Sequence, residues 1–101
     1  MILIIGGSGF VGSFLIKELN KHNVLNLDKK SSPFFDNISM KSDIRNFNEI
    51  KIPKNTECVV LLAAEHRDDV SPVSLYYDVN VEGTKNVLKA MDESVVKNLI
   101  F

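Results

Sequence analysis

Met1 to Ile5 is an unbroken apolar run that stops at Gly6, the pattern of a central parallel strand covered on both faces. From Phe10 to His22, the residues Phe10, Val11, Phe14, Leu15 and Leu19 recur at spacings of three and four, with Lys17, Glu18 and Lys21 opposite them. That spacing predicts an amphipathic helix with those five residues on its core face. Asn23 reads as its C-cap and His22 as a partner for the helix dipole. Val24-Leu25-Asn26-Leu27 then alternates into Asp28, a second strand that ends on an acid.

Past the loop at Ser31-Ser32-Pro33, Ile38 to Met40 reads as a short strand and Asn46 to Ile50 as a short helix stopped by Pro53. Glu57 to Ala64 is another buried strand. Ser71 and Pro72 supply an N-cap and a first-turn proline for a helix running to about Met91, with Val73, Tyr77, Thr84, Leu88 and Met91 on its period. Asn98 to Phe101 open a further apolar strand. Strands alternating with helices predict an α/β fold, a parallel sheet with right-handed crossovers.

The composition sets bounds on this picture. With 101 residues, 45% hydrophobic and 25% charged, the chain has the make-up of one ordinary globular domain. A net charge of -1 with dispersed Lys and Arg leaves no basic stripe, so nucleic acid is not an expected partner. Cys58 is the single cysteine, which excludes an internal disulfide framework and a Cys-rich metal site. The apolar run before Gly6 is too short for a signal peptide core or a membrane span. The expectation is a cytoplasmic protein with no membrane partner.

Gly6-Gly7-Ser8-Gly9-Phe10-Val11-Gly12 stands where a strand turns into a helix, the context that gives a glycine-rich loop meaning. Two registers overlap, G-x-x-G-x-x-G on Gly6, Gly9 and Gly12, and G-x-G-x-x-G on Gly7, Gly9 and Gly12. Either way, glycines permit a tight turn and a close approach of backbone to a pyrophosphate, while Gly12 lets helix and strand pack closely. The N–H groups and positive dipole end of the helix then face the phosphates. The rival ATP-type phosphate loop needs lysine where Ser13 stands. Asp28 lies 22 positions after Gly6, close to the spacing of about 20 at which an acid grips the adenosine ribose. Its charge disfavours a 2′-phosphate and so favours NAD over NADP, an effect that Lys29 and Lys30 partly offset. Together these features predict a Rossmann-type doubly wound sheet. About five of the six strands of a full dinucleotide fold are present, so the domain over residues 1–101 is expected to be incomplete, truncated at about the fifth strand.

Four segments resemble one family, the extended short-chain dehydrogenases that act as NAD-dependent epimerases and dehydratases of nucleotide sugars. They are the loop from Gly6 to Gly12, Asp43-Ile44-Arg45, Leu62-Ala63-Ala64, and Asn80-Val81-Glu82-Gly83-Thr84-Lys85-Asn86-Val87-Leu88, similar to the family's N-V-x-G-T-x-N-x-L helix. The resemblance implies that the cofactor is NAD, held by Gly6, Gly9, Phe10, Val11, Gly12 and Asp28. It implies that Asp43 bonds the adenine amino group, that Ile44 packs on the ring, and that Leu62, Ala63 and Ala64 pass under the ribose and nicotinamide side. Asn80 shares a stripe with Tyr77 and Thr84, so it is expected to face the sheet and to need a hydrogen-bond partner, in the fold or on a ligand. The charged run Glu65-His66-Arg67-Asp68-Asp69 follows a strand end; both a solvated loop and a catalytic site fit it.

The departures from the family concern its chemistry. The family's Ser or Thr and its Tyr-x-x-x-Lys pair lie after the fifth strand, and neither Tyr76 nor Tyr77 is followed by lysine four positions on. A tyrosinate base and a hydride moving from a sugar carbon to NAD are therefore expected only of a full-length parent. The 101-residue chain is expected to bind NAD without turnover and to form a homo-oligomer, the helix from Ser71 to Met91 pairing between subunits as in many family members. Ile5 stands where many relatives have threonine, which removes a hydroxyl that would brace the loop. A non-catalytic dinucleotide-binding or redox-sensing module is the alternative from another class.

Overall fold

A computed structural model describes residues 1–19, 23–63 and 73–101. Five strands, β1 (Ile2–Ile5), β2 (Val24–Asp28), β3 (Ser39–Lys41), β4 (Cys58–Leu61) and β5 (Leu99–Ile100), form one parallel sheet in the order β3-β2-β1-β4-β5. Helix α1 (Phe10–Leu19) follows β1, and short 3-10 turns occupy Asp36–Ile38 and Phe47–Glu49. Between β4 and β5 run α2 (Val73–Tyr77), a π-helical stretch (Asp78–Gly83) and α3 (Thr84–Glu93). This is the predicted Rossmann-type α/β architecture, and the order reverses direction at β1, between β2 and β4.

The apolar run of β1 is explained by its neighbours on both faces. Leu3 and Ile5 join Leu27, Val59 and Leu61 beneath Val79, Val87, Ala90 and Met91 of the later helical segment. Ile4, Val24 and Val60 pack under Ile16 of α1 on the other face. Side chains alternate faces along a strand, so a strand buried on both sides is apolar throughout except where a buried polar group finds partners.

Two helical faces differ from expectation. Phe10, Val11 and Phe14 are 80%, 63% and 58% exposed, while Gly12 and Ile16 are buried. At about 100° per residue, an inward line through Gly12, Ile16 and Leu19 turns Phe10 and Phe14 to the opposite side. The close approach of Gly12 to the loop sets that rotation, and the two phenylalanines stack edge to face on the outside with centroids 5.1 Å apart. In the later segment Tyr77 and Leu88 are exposed, and the buried line is Val79, Gly83, Val87, Ala90 and Met91. The wider π turn advances each residue by a smaller angle than an α-helix, so a 3.6-residue period cannot be carried across it.

α3 ends in a Schellman arrangement. Val96 N–H donates to the Met91 carbonyl (3.0 Å) and Val95 N–H to that of Asp92 (3.3 Å). Val95 takes the left-handed position (φ 58°), where glycine is usual, and buried Val96 turns the chain back toward β5. The expected dipole partner His22, the N-cap Ser71 and the first-turn Pro72 lie outside the described residues. Among those described, no helix is long and apolar enough to cross a membrane.

Candidate functional site

A cleft of about 620 Å³ opens at the carboxyl ends of the strands, where the order reverses. Its size falls within the range of about 300–1,000 Å³ common for small-molecule sites. The turn after β1 forms one wall. Gly6 has φ 90°, and a side chain there would run into the backbone of Ala63, so only glycine fits. Gly6 N–H donates to the Leu27 carbonyl (2.7 Å), and the Ile5 carbonyl accepts from Leu62 and Ala63 (2.8 and 3.0 Å). The ends of β1, β2 and β4 are thereby tied together at the cleft floor.

Gly9 differs from Gly6. A Cβ added to Gly9 would meet nothing within 4 Å beyond its own chain neighbours, so packing within the chain does not require glycine there, whereas backbone approach to a ligand would. The first α1 bond runs from Ser13 N–H to the Gly9 carbonyl (2.9 Å). The N–H groups of Phe10, Val11 and Gly12 precede it, and all three residues line the cleft.

Asp28 joins this wall from the end of β2. One carboxylate oxygen accepts from Ser8 N–H and the other from Lys30 N–H, each at 2.9 Å, and Ser8 Oγ donates to the Lys30 carbonyl (2.9 Å). The acid is thus anchored to the glycine-rich loop, and each oxygen keeps acceptor capacity.

Asn26, two residues earlier, was not singled out from sequence. It is fully buried; its Oδ1 accepts from Gly7 N–H (2.8 Å) and its Nδ2 donates to Ser8 Oγ (3.2 Å) and Ser39 Oγ (3.0 Å). The orientation of the amide follows from Gly7, whose N–H requires an acceptor. This side chain braces the loop from beneath, a task that Ile5 cannot perform. The signal was present as one amide inside an apolar strand, since a buried polar group must have partners.

Asp43 and Ile44 enter the cleft from the loop after β3. Asp43 accepts from Arg45 through its backbone N–H (3.0 Å) and its guanidinium (2.6–3.1 Å). The Arg45 side-chain bonds chiefly, together with its backbone N–H and the charges of Arg45 and Lys29, hold the Asp43 carboxyl below its ordinary value against an opposing effect of burial. Asp43 is therefore an ionised acceptor at neutral pH.

Of the expected cofactor residues, Gly6, Gly9, Phe10, Val11, Gly12, Asp28, Asp43, Ile44, Leu62 and Ala63 all border this one cleft. Ala64 and the run from Glu65 to Asp69 lie outside the described residues. Half-buried Asn80 is not among the lining residues, and its carbonyl accepts from Thr84 Oγ1 (2.9 Å). Val79, one residue earlier, lines the cleft instead. Among the described residues no group of three or more His, Cys, Asp or Glu is gathered to hold a metal ion.

The family described as NAD dependent epimerase/dehydratase matches residues 2–101. The chain belongs to that family. It is 52% identical over 102 residues to an N-acetyl-alpha-D-glucosaminyl-diphospho-ditrans,octacis-undecaprenol 4-epimerase of Escherichia coli O157:H7, covering 99% of this chain and 31% of that protein. Among solved structures, one UDP-glucose 4-epimerase superposes with a TM-score of 0.83 at 30% identity, over 99% of this chain and 34% of its own. The UDP-glucose 4-epimerase of Thermus thermophilus, solved as a complex with NAD, gives a TM-score of 0.82 at 26% identity over 99% and 36%. The chain spans about a third of the length of the curated relatives it matches first, 31%, 33% and 37%.

Proposed function

We propose that this chain is the NAD-binding N-terminal part of a nucleotide-sugar epimerase or dehydratase. The observation that carries the reading is the Ser8 N–H to Asp28 bond, which ties a phosphate-type loop and a ribose-type acid into one cleft at the switch point of the sheet. Gly9 and the N-terminal N–H groups of α1 take the pyrophosphate, and the open side of Gly9 supports this. Asp28 accepts from the adenosine ribose hydroxyls. Asp43, kept ionised, accepts from the adenine amino group while Ile44 packs on the ring; Leu62 and Ala63 run under the nicotinamide half. NAD, when bound, supplies a hydride acceptor for a carbon of the sugar, and this chain's residues hold and orient it.

The same reading assigns the protein to the cytoplasm, with a nucleotide sugar as substrate of the whole enzyme and a second copy of the chain as partner. Exposed Tyr77 and Leu88 on the α2–α3 side support self-association. Sedimentation equilibrium at tens of micromolar is expected to give a mass above that of a single chain; an 11.3 kDa species alone would count against the partner.

The test of cofactor binding is the Asp28→Ala substitution, titrated against NAD and NADP by calorimetry. Losing two charge-assisted acceptor bonds should weaken NAD by about 1.5–3 kcal/mol, roughly ten- to a hundredfold, and change NADP little. Asp28 also anchors the loop through Ser8, so both affinities share any loss from loosening, and their ratio isolates the ribose contact. An unchanged ratio would reduce Asp28 to a turn residue.

A further inference from the structure

The loop that brings Asp43 and Ile44 to the cleft is gripped from behind by α3 and the π turn before it. Asn86 Nδ2 donates to the carbonyls of both Ile44 (2.9 Å) and Arg45 (3.2 Å), more than forty residues away in sequence. Gly83, three residues earlier, leaves the space that Ile44 fills; a Cβ there would lie 2.6 Å from Ile44 Cδ1 and Cγ1. Lys89, three residues later, sets its ammonium 4.3 Å from the centre of the Phe47 ring. Gly83, Asn86 and Lys89 thus together hold Ile44, Arg45 and Phe47.

Asn86 is the central tie of the three. A single amide nitrogen shared by two successive carbonyls fixes the two peptide planes that meet at the Arg45 Cα, and with them the direction of the residues on either side. Ile44 is only 4% exposed, and Asp43 is bound to Arg45 itself, so the clamp sets where both cleft-lining side chains stand. Asn86 does not line the cleft. We propose that Asn86 is a positioning residue for the adenine end of the bound dinucleotide, acting through the carbonyls of Ile44 and Arg45 and touching no ligand. This rests on the assignment of Asp43 and Ile44 to the adenine.

The experiment measures 5′-AMP and nicotinamide mononucleotide binding to the wild-type chain and to Asn86→Ala by NMR titration. Affinity for 5′-AMP is expected to fall about tenfold, with nicotinamide mononucleotide unchanged. Asn86→Asp keeps the volume but removes the donor, and should show the same loss if the alanine variant folds poorly. Adding Asn86→Ala to Asp43→Ala should weaken 5′-AMP by clearly less than the further tenfold, because part of the effect of Asn86 runs through Asp43 and the rest through Ile44. Unchanged 5′-AMP affinity, an equal loss for both ligands, or full additivity with Asp43→Ala would overturn the inference while leaving the NAD reading intact. A wild-type chain that does not bind 5′-AMP would overturn the NAD reading and this inference with it.

Discussion

Gly12→Ala is expected to abolish NAD binding at millimolar cofactor and to cost about 3 kcal/mol of stability, the upper end for forced overpacking. The added methyl would overlap Gly7, lying 2.6 Å from its carbonyl carbon and oxygen and nearer still to its Cα. Those are backbone atoms and cannot rotate away. Nor is Gly7 free to retreat, because its N–H is held by the buried Asn26 side chain, and there is no room even for a Cβ between Gly7 and that amide. The strain must therefore lift the start of α1 off the loop, which carries the N–H groups of Phe10 to Gly12 out of line with a pyrophosphate. Differential scanning calorimetry and NAD titration read the two effects separately. A variant with wild-type melting temperature and affinity would show that the Gly7–Gly12 contact is looser than described.

Asn26→Ala should be nearly as damaging, through hydrogen bonding. It removes three bonds at once and strands the Gly7 N–H in the interior, where an unsatisfied donor alone costs about 1–3 kcal/mol. The space left behind adds to this, so a loss of about 3 kcal/mol is expected, or a fall of roughly 12–24 °C in Tm for a domain of this size. Asn26→Leu restores the volume without the partners and separates the two causes. If hydrogen bonding dominates, leucine does not rescue stability; a leucine variant as stable as wild type would show that Asn26 serves by packing alone. The Ser8 hydroxyl loses a partner in either variant, so weaker NAD binding should accompany the loss of stability.

The alternation of elements could be read because each strand is bounded by local chemistry. Glycine stops β1, Asp28 closes β2, and the unbroken apolar runs of β1 and β4 can be buried only within a two-sided parallel sheet. The residues around the cleft were equally legible. A glycine-rich turn between strand and helix and an acid at the end of the next strand belong to the same edge in any such fold, whatever packs elsewhere.

Other features had no local signal. The inward face of α1 was expected to include Phe10 and Phe14, because hydrophobicity suggests burial, yet the contact of two glycines sets the rotation and leaves both rings outside. The π turn likewise breaks a period that looks continuous in one dimension. Sequence pattern by itself determined the alternation of strands and helices, their order and which of the described residues border the cleft, because these depend on residues within a few positions of one another. Tertiary structure alone decided that Asn26 would brace the loop and that Asn86 would hold the Ile44 and Arg45 carbonyls. A buried amide has meaning only through the partner it meets, and in both cases that partner lies on another element of the fold.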